Sequence, residues 1–294
     1  MDTRGNMSGE ITAERRQLIG LAYRLLGSLS DAEDVVQEAY GRWYALSGPQ
    51  RDAIAAPGAW LTTVTSRICL DQLRSARVRR ERYVGEWLPE PLPGETGWIA
   101  DPADRVTLDE SITMAFLVVL DSMTPAERVA FVLHDVFGYP FAEVGQVLGR
   151  SSAACRQLAS SARRRVRAAR APEPARGSAD VVRAFKLAWE AGDIERLVGV
   201  LDPEATVVAD SGGLVSAVRR PIEGGERVAR YAVDLTGRIP AMTLEETTVN
   251  GRPGLMARRD GAVVAVMAFE VAGASVRRIW AVRNPEKLRR WQAA

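Results

Sequence analysis

Leu18, Ile19, Ala22, Leu25 and Leu26 recur at helical spacing and predict a helix that stops at Gly27. The run Ser30-Asp31-Ala32-Glu33 then reads as a capping box that opens a second helix. Val35, Val36, Ala39, Tyr40 and Trp43 give that helix its apolar face. Asp31, Asp34 and Glu38 fall at i, i+3 and i+7 and form an acidic stripe on another face. A third helix is expected from Pro57, because proline suits the first turn. It turns Trp60, Leu61, Val64, Ile68 and Leu73 inward and Arg67, Arg74 and Arg77 outward.

A second helical block follows a break rich in proline and glycine (Pro89, Pro91, Pro93, Gly94, Gly97, Pro102). Thr124-Pro125-Ala126-Glu127 combines an N-cap, a proline at N1 and a glutamate at N3, which predicts a helix running to a stop at Gly138. Phe141–Leu148 reads as a short helix and Gly149 as a turn. Ser151 or Ser152 should cap a longer basic helix to about Arg167. A short helix, a turn with glycine and a basic helix make a helix-turn-helix candidate.

Past a second break (Pro172, Pro174, Gly177, Ser178) the periodicity changes. Residues 179–191 and 193–201 read as helices, and 224–237 holds another. Runs at 205–209, 214–218, 242–249, 252–258, 261–270 and 273–281 read as strands, with Asn250-Gly251 and Asp260-Gly261 as hairpin turns. The pattern divides the chain into a helical module at 10–82, a linker at 83–105, a helix-turn-helix module at 106–170 and a small α+β domain with a curved antiparallel sheet at 179–294.

Composition adds charge clustering to this picture. The 294 residues carry 39 basic and 37 acidic side chains, a net charge of +2, yet Arg74, Arg77, Arg79, Arg80 and Arg82 cluster. So do Arg150, Arg156, Arg163, Arg164, Arg165, Arg167 and Arg170. Nearly all of this charge is arginine, which recognises phosphate and guanine in bidentate fashion. Two surfaces directed at DNA follow. Ser152, Arg156 and Gln157 lie early in the presumed recognition helix, where Arg and Gln can read guanine and adenine edges. Arg164 and Arg165 suit phosphates. Trp60, Tyr83 and Trp87 are candidates for stacking on unpaired bases, with Trp60 better read as core.

Two cysteines and one histidine exclude a disulfide framework and a His-rich or multi-Cys metal site. No metal and no cofactor is expected. His134 reads as structural, and Cys69 and Cys155 as ordinary thiols. The first residues lack the apolar core of a secretory signal, and the apolar runs are too short to span a bilayer. The expectation is a cytoplasmic protein without a membrane partner.

At this point the residues carry a resemblance. DAEDVVQEAYGRW (31–43), PGAWLTTVTSRICLDQLRSARVRRE (57–81) and MTPAERVAFVLHDVFGYPFAEVGQVLGRSSAACRQLASSARRRV (123–166) resemble the paired promoter-recognition domains of bacterial extracytoplasmic-function sigma factors. YVGEWLPEP (83–91), DSGG (210–213), NGRPG (250–254) and NPEKL (284–288) resemble the subgroup with a fused SnoaL-like C-terminal domain. The chain departs from that pattern at Leu214, where lysine is usual, and at Ser161, where arginine is common.

The resemblance implies roles. Asp34, Gln37 and Glu38 match the helix that docks on the clamp helices of the RNA polymerase β′ subunit. Arg67, Asp71, Arg74 and Arg77 match the region that opens and reads the −10 element, although Asp71 and Arg74 could equally form a plain helix ion pair. Arg156 and Gln157 match positions facing the −35 element. On their own chemistry, Trp87, Leu88 and Pro89 are apolar enough to anchor an interface with the C-terminal domain, although Trp87 could equally cover the edge of the first helical bundle; with Asp210, Asn284 and Pro285 they are the expected interdomain contacts that regulate activity. The expected partners are core RNA polymerase and promoter DNA, with no dedicated anti-sigma factor, and the C-terminal domain leaves room for a small-molecule ligand.

The expectation is an alternative sigma factor that catalyses nothing itself. One rival is a one-component, ligand-responsive helix-turn-helix regulator. Another is a SnoaL-like enzyme fused to a DNA-binding module, with Asp210 as an acid or base in an apolar cavity. Against the second, Asp210 reads better as a turn cap before Gly212.

Overall fold

The computed structural model describes residues 3–80, 83, 85–94, 112–169, 177–215, 218, 220–239 and 241–292, with the side chains of 3–13 and 76–80 left aside. Arg77 as a side chain, and the breaks around Gly97, Pro102, Pro172 and Pro174, lie outside the described residues. The chain forms two compact units. The first holds the helices up to Ala169. The second holds segment 83–94 and the chain from Gly177 onward.

The first unit begins with α1 (Thr3–Leu26), α2 (Leu29–Tyr44), α3 (Gly48–Asp52) and α4 (Pro57–Arg80). Leu18, Ala22 and Leu25 of α1, Val35 and Val36 of α2 and Leu61, Ile68 and Leu73 of α4 are buried as the periodicity predicts. The cap of α2 differs from the expected one. Gly27 ends α1 at φ 72°, which leaves Ser28 extended, and the Ser28 hydroxyl accepts from Asp31 N at 3.3 Å. Ser30 already lies inside the helix, so the cap sits two residues before the sequence pattern places it.

Helices α5 (Met114–Asp121), α6 (Pro125–Phe131), α7 (Phe141–Leu148) and α8 (Ser152–Ala169) follow. Thr124 and Glu127 form the predicted reciprocal cap, with Glu127 Oε2 accepting from Thr124 N and Oγ1 at 3.0 and 2.9 Å. After Phe131 the helix widens into a π turn, Val132–Val136, instead of running regularly to Gly138. His134 Nδ1 lies 2.9 Å from Tyr139 O and its ring stacks on Phe141 at 3.8 Å. A carbonyl can only accept, so Nδ1 carries the proton there. The histidine is structural, joining the end of the π turn to the start of α7.

The second unit is an α+β cone. Helices α9 (Ser178–Glu190), α10 (Ile194–Val200) and α11 (Gly225–Arg238) cover a six-stranded sheet in the order β2-β1-β6-β5-β4-β3. Its strands are β1 (Leu201–Asp210), β2 (Ile222–Glu223), β3 (Thr243–Val249), β4 (Arg252–Arg259), β5 (Ala262–Ala272) and β6 (Ser275–Val282). Asn250-Gly251 and Asp260-Gly261 all have positive φ, as the predicted hairpin turns require. Phe185, Trp189, Val228, Leu255 and Ile279 belong to the buried core between helices and sheet.

Two expectations need correction. Of the strand expected at 214–218, the described residues Leu214, Val215 and Val218 form none: Leu214 and Val215 are exposed, and the partner on that side of β1 is Ile222–Glu223. The sheet is also not antiparallel throughout, because β1 and β6 pair in parallel through Val207↔Ile279 and Asp210↔Val282. The long connection between β1 and β6 permits that pairing, which a tight hairpin could not.

Candidate functional site

Helix α2 presents Asp31, Asp34, Gln37 and Glu38 to solvent, because Ala32, Val35, Val36 and Ala39 take the buried face. The acidic stripe is thus exposed, with Glu38 paired to Arg42 at 2.5 Å. On α4, Arg74 is exposed and sits 3.4 Å from Asp71, the helix ion pair that the spacing allows. Arg67 is exposed too, but its guanidinium donates to Gln146 O of α7 at 2.8 Å. Nearby, the Thr62 and Tyr139 hydroxyls lie 3.0 Å apart. Trp60 is half-buried, its ring 5.3 Å from that of Trp43.

The helix-turn-helix is α7 and α8. A Cβ at Gly145 would come within 2.6 Å of Arg150 O, so the tight turn needs glycine there. Ser151 Oγ accepts from Ala154 N at 3.2 Å and caps α8, leaving Ser152 as its first residue. Cys155, Ala159 and Ala162 face inward, so Arg156, Gln157, Arg164 and Arg165 are exposed. Arg156 rests over the Phe141 ring at 5.6 Å. Ser161, the departure from the family pattern, donates to Glu127 Oε1 at 2.7 Å. Burial pushes the Glu127 carboxyl up, but the bonds from Ser161 and Thr124 outweigh it and hold the group below its ordinary value. Burial raises the Cys155 thiol, which disfavours the reactive thiolate.

In the second unit, segment 83–94 is a strap on the cone, and Asp210 is its centre. Asp210 ends β1 with no exposed surface. Its Oδ1 accepts from Tyr83 Oη at 2.6 Å and Gly212 N at 3.0 Å, and its Oδ2 from Leu88 N at 2.9 Å. Lys287 Nζ reaches Oδ2 at 2.6 Å, also donates to Leu88 O, and lies 4.2 Å from the Trp87 ring centre. Asn284 Nδ2 donates to Tyr83 Oη at 3.0 Å. Gly212 has φ 63°, and a Cβ on it would approach Asn284 Nδ2 to 2.6 Å, so the DSGG glycine is sterically required.

The strap is fastened again further along. Leu92 N donates to Asn250 Oδ1 at 3.0 Å, and Asn250 N returns a bond to Leu92 O at 2.9 Å. Trp291 Nε1 donates to Pro91 O at 2.9 Å. Burial, then the Asp210 carboxylate, push the Tyr83 phenol up, so its proton stays in place as a donor.

Of the residues expected to regulate through this linker, Leu88, Pro89, Asp210 and Asn284 are buried in the strap contact, and Trp87 is half-buried under Lys287. Pro285 is exposed and serves the following turn, its carbonyl accepting from Leu288 N at 3.2 Å. Tyr83, offered above as a base-stacking residue, has its hydroxyl in the Asp210 cluster instead. Sequence reasoning missed Lys287, Asn250, Leu92 and Trp291. Both Lys287 and Asn250 lie in quoted runs, NPEKL and NGRPG, and Lys287 is one of two lysines in an arginine-rich chain.

Two helical DNA-directed modules in this order define the class. Residues 11–79 match the family model described as Sigma-70 region 2, and residues 113–166 the one described as Sigma-70, region 4. The chain belongs to the extracytoplasmic-function (ECF) RNA polymerase sigma factors. It is 43% identical over 295 residues to the ECF RNA polymerase sigma factor SigJ of Mycobacterium tuberculosis, covering 95% of this chain and 92% of that one. It is 37% identical over 281 residues to a probable ECF sigma factor, SigI, of the same organism, covering 94% and 92%. The crystal structure of M. tuberculosis SigJ matches it at TM-score 0.76 and 38% identity, over 96% of this chain and 98% of SigJ. The protein is therefore an alternative sigma factor that directs transcription initiation, with an α+β cone following its two helical modules.

Proposed function

We propose that this sigma factor docks on core RNA polymerase through the stripe of Asp34, Gln37 and Glu38 and reads promoters with α4 and α8. We further propose that its C-terminal cone sets its activity through the strap. The observation that carries the reading is the convergence on buried Asp210 of Tyr83, Leu88 and Lys287. The strap follows directly on α4 in sequence and precedes the second module. Fastening it therefore restricts where the joined modules can go, and releasing it restores their reach. In this reading the cone takes the place of a dedicated anti-sigma factor.

The bond from Arg67 to Gln146 O fits the same scheme. It occupies a residue meant for the −10 element with the helix before the recognition helix, and an open, polymerase-competent state must give it up. The protein works in the cytoplasm, and among the described residues no helix is long and apolar enough to cross a membrane. Asp210 is absent from the described lining of the cone's apolar cavity, which supports a fastening role over an acid-base one. Promoter-directed transcription with core polymerase tests the proposal. Lys287→Met, folded as the parent, should raise the rate several-fold, and an unchanged rate would overturn the regulatory reading.

A further inference from the structure

The π turn Val132–Val136 stands directly before the helix-turn-helix. Phe137 N reaches back five residues to Val132 O at 3.1 Å, and turns of this kind are rare and concentrate at functional sites. Two consecutive side chains leave the turn for the helix-turn-helix. The His134 ring stacks on that of Phe141 at 3.8 Å, held in place by its bond to Tyr139 O at 2.9 Å. Asp135 Oδ1 accepts from Arg163 Nε of α8 at 2.5 Å. Phe141, half-buried at the start of α7, in turn lies under the Arg156 guanidinium, whose carbon is 5.6 Å from the ring centre.

Arg156 and Arg163 are seven residues apart, two turns of α8, and so share one face of it. The Asp135 pair ties Arg163 and fixes the rotation of α8 against the π turn. The Phe141 contact with Arg156 works differently. A guanidinium stacks with its face and donates hydrogen bonds from its edges. The ring therefore holds Arg156 without using the N–H donors that a guanine edge takes. An exposed arginine otherwise samples many rotamers and gives up that freedom when it grips a base. A ring that already selects one orientation removes part of that cost.

We propose that Phe141, backed by His134, is a positioning residue for promoter readout: it aims Arg156 at its base in the −35 element. This role rests on the proposed base readout by Arg156 and is independent of the strap.

The test is binding of holoenzyme, formed from core polymerase and the full chain, to duplex promoters randomised across the −35 and −10 elements, with the bound pool sequenced. Arg156→Ala identifies the base pair that Arg156 reads, as the position whose guanine preference it flattens. Phe141→Leu keeps an apolar side chain and removes the aromatic face. It should lower the preference at that one position by about two- to fivefold, the strength of an exposed cation–π contact, and leave the other positions as in the parent. Phe141→Tyr, which keeps the face, should retain the parent's preference. On the selected promoter, Phe141→Leu should cost no further affinity once Arg156→Ala is present. If circular dichroism shows lost helix in Phe141→Leu, Phe141→Met takes its place with the same expected result. If Arg156→Ala flattens no position, the base readout falls and the positioning role with it. Four results would overturn the positioning role alone: a flattened position that Phe141→Leu leaves at parental preference, a loss spread alike over all positions, an equal loss in Phe141→Tyr, or an undiminished cost beside Arg156→Ala.

Discussion

Asp210→Asn is the perturbation that the strap geometry makes most informative. The carboxylate serves Tyr83 Oη and Gly212 N on one oxygen and Leu88 N and Lys287 Nζ on the other. An asparagine amide offers one acceptor oxygen, so whichever way it turns, its NH2 group faces two donors. It also leaves the Lys287 ammonium, with 11% of its side chain exposed, without its counter-charge. Charge-assisted hydrogen bonds contribute about 1.5–3 kcal/mol each, so losing one pair should favour strap opening by roughly 3 kcal/mol. That is a factor of about 100 in the opening equilibrium. Site-resolved amide exchange on the full chain reads it directly, because the Leu88 N–H exchanges when the strap lifts. Leu88 should exchange about 100-fold faster in Asp210→Asn. Leu92, held separately by Asn250, should change less, and amides of β5 should not change. A Leu88 rate within about threefold of the parent would refute the reasoning, as would equal acceleration in β5, which reports unfolding of the whole cone.

Three further outcomes are expected. Reversing Asp34 and Glu38 to Lys should abolish binding to core polymerase in a pull-down with the helical content intact, since exposed ion contacts contribute only about 1 kcal/mol each and the pair must be changed together. Wild-type retention would remove the docking assignment. Arg156→Ala should cost roughly 1–3 kcal/mol at a cognate −35 element and relax preference there, whereas Arg164→Ala or Arg165→Ala should weaken all sequences alike and flatten the salt dependence; gel-shift titrations on variant promoters separate the two. The Glu127 carboxyl is held low in the fold, so its contribution is present above the unfolded value near 4.5 and lost as pH falls through its lower folded value. Glu127→Gln should therefore flatten the acid limb of the unfolding curve followed by circular dichroism, and an unchanged slope would show that another carboxylate governs it.

The helices and their faces were legible because periodicity and burial are the same physics. Val35, Val36 and Ala39 go inside, which puts Asp34 and Glu38 outside. The Thr124 cap was equally local, its residues lying within four positions. What escaped was set by partners far along the chain. Leu214 and Val215 look like strand residues, but the Asx turn at Asp210 and two left-handed glycines reverse the chain before them. The π turn after Phe131 leaves no mark in a pattern that remains apolar. Asp210 was legible as a turn cap, since its bond to Gly212 N spans two residues. Its bonds to Tyr83 and Leu88 span more than a hundred positions, and no local rule announces them. For the same reason Tyr83 looked like a stacking ring, and Arg67 like a residue facing DNA and nothing else.

The central claim is that the cone governs the sigma factor through the strap. It is tested most directly by promoter-directed transcription with core polymerase, using three folded proteins: the full chain, a chain ending at Arg283, and a chain lacking 179–294. The shorter truncation removes Asn284, Lys287 and Trp291, three of the strap's fasteners, and leaves Asp210 and the sheet in place. It should transcribe faster than the full chain, and the chain without the cone should also differ from the full chain. Equal transcription by all three would contradict the account.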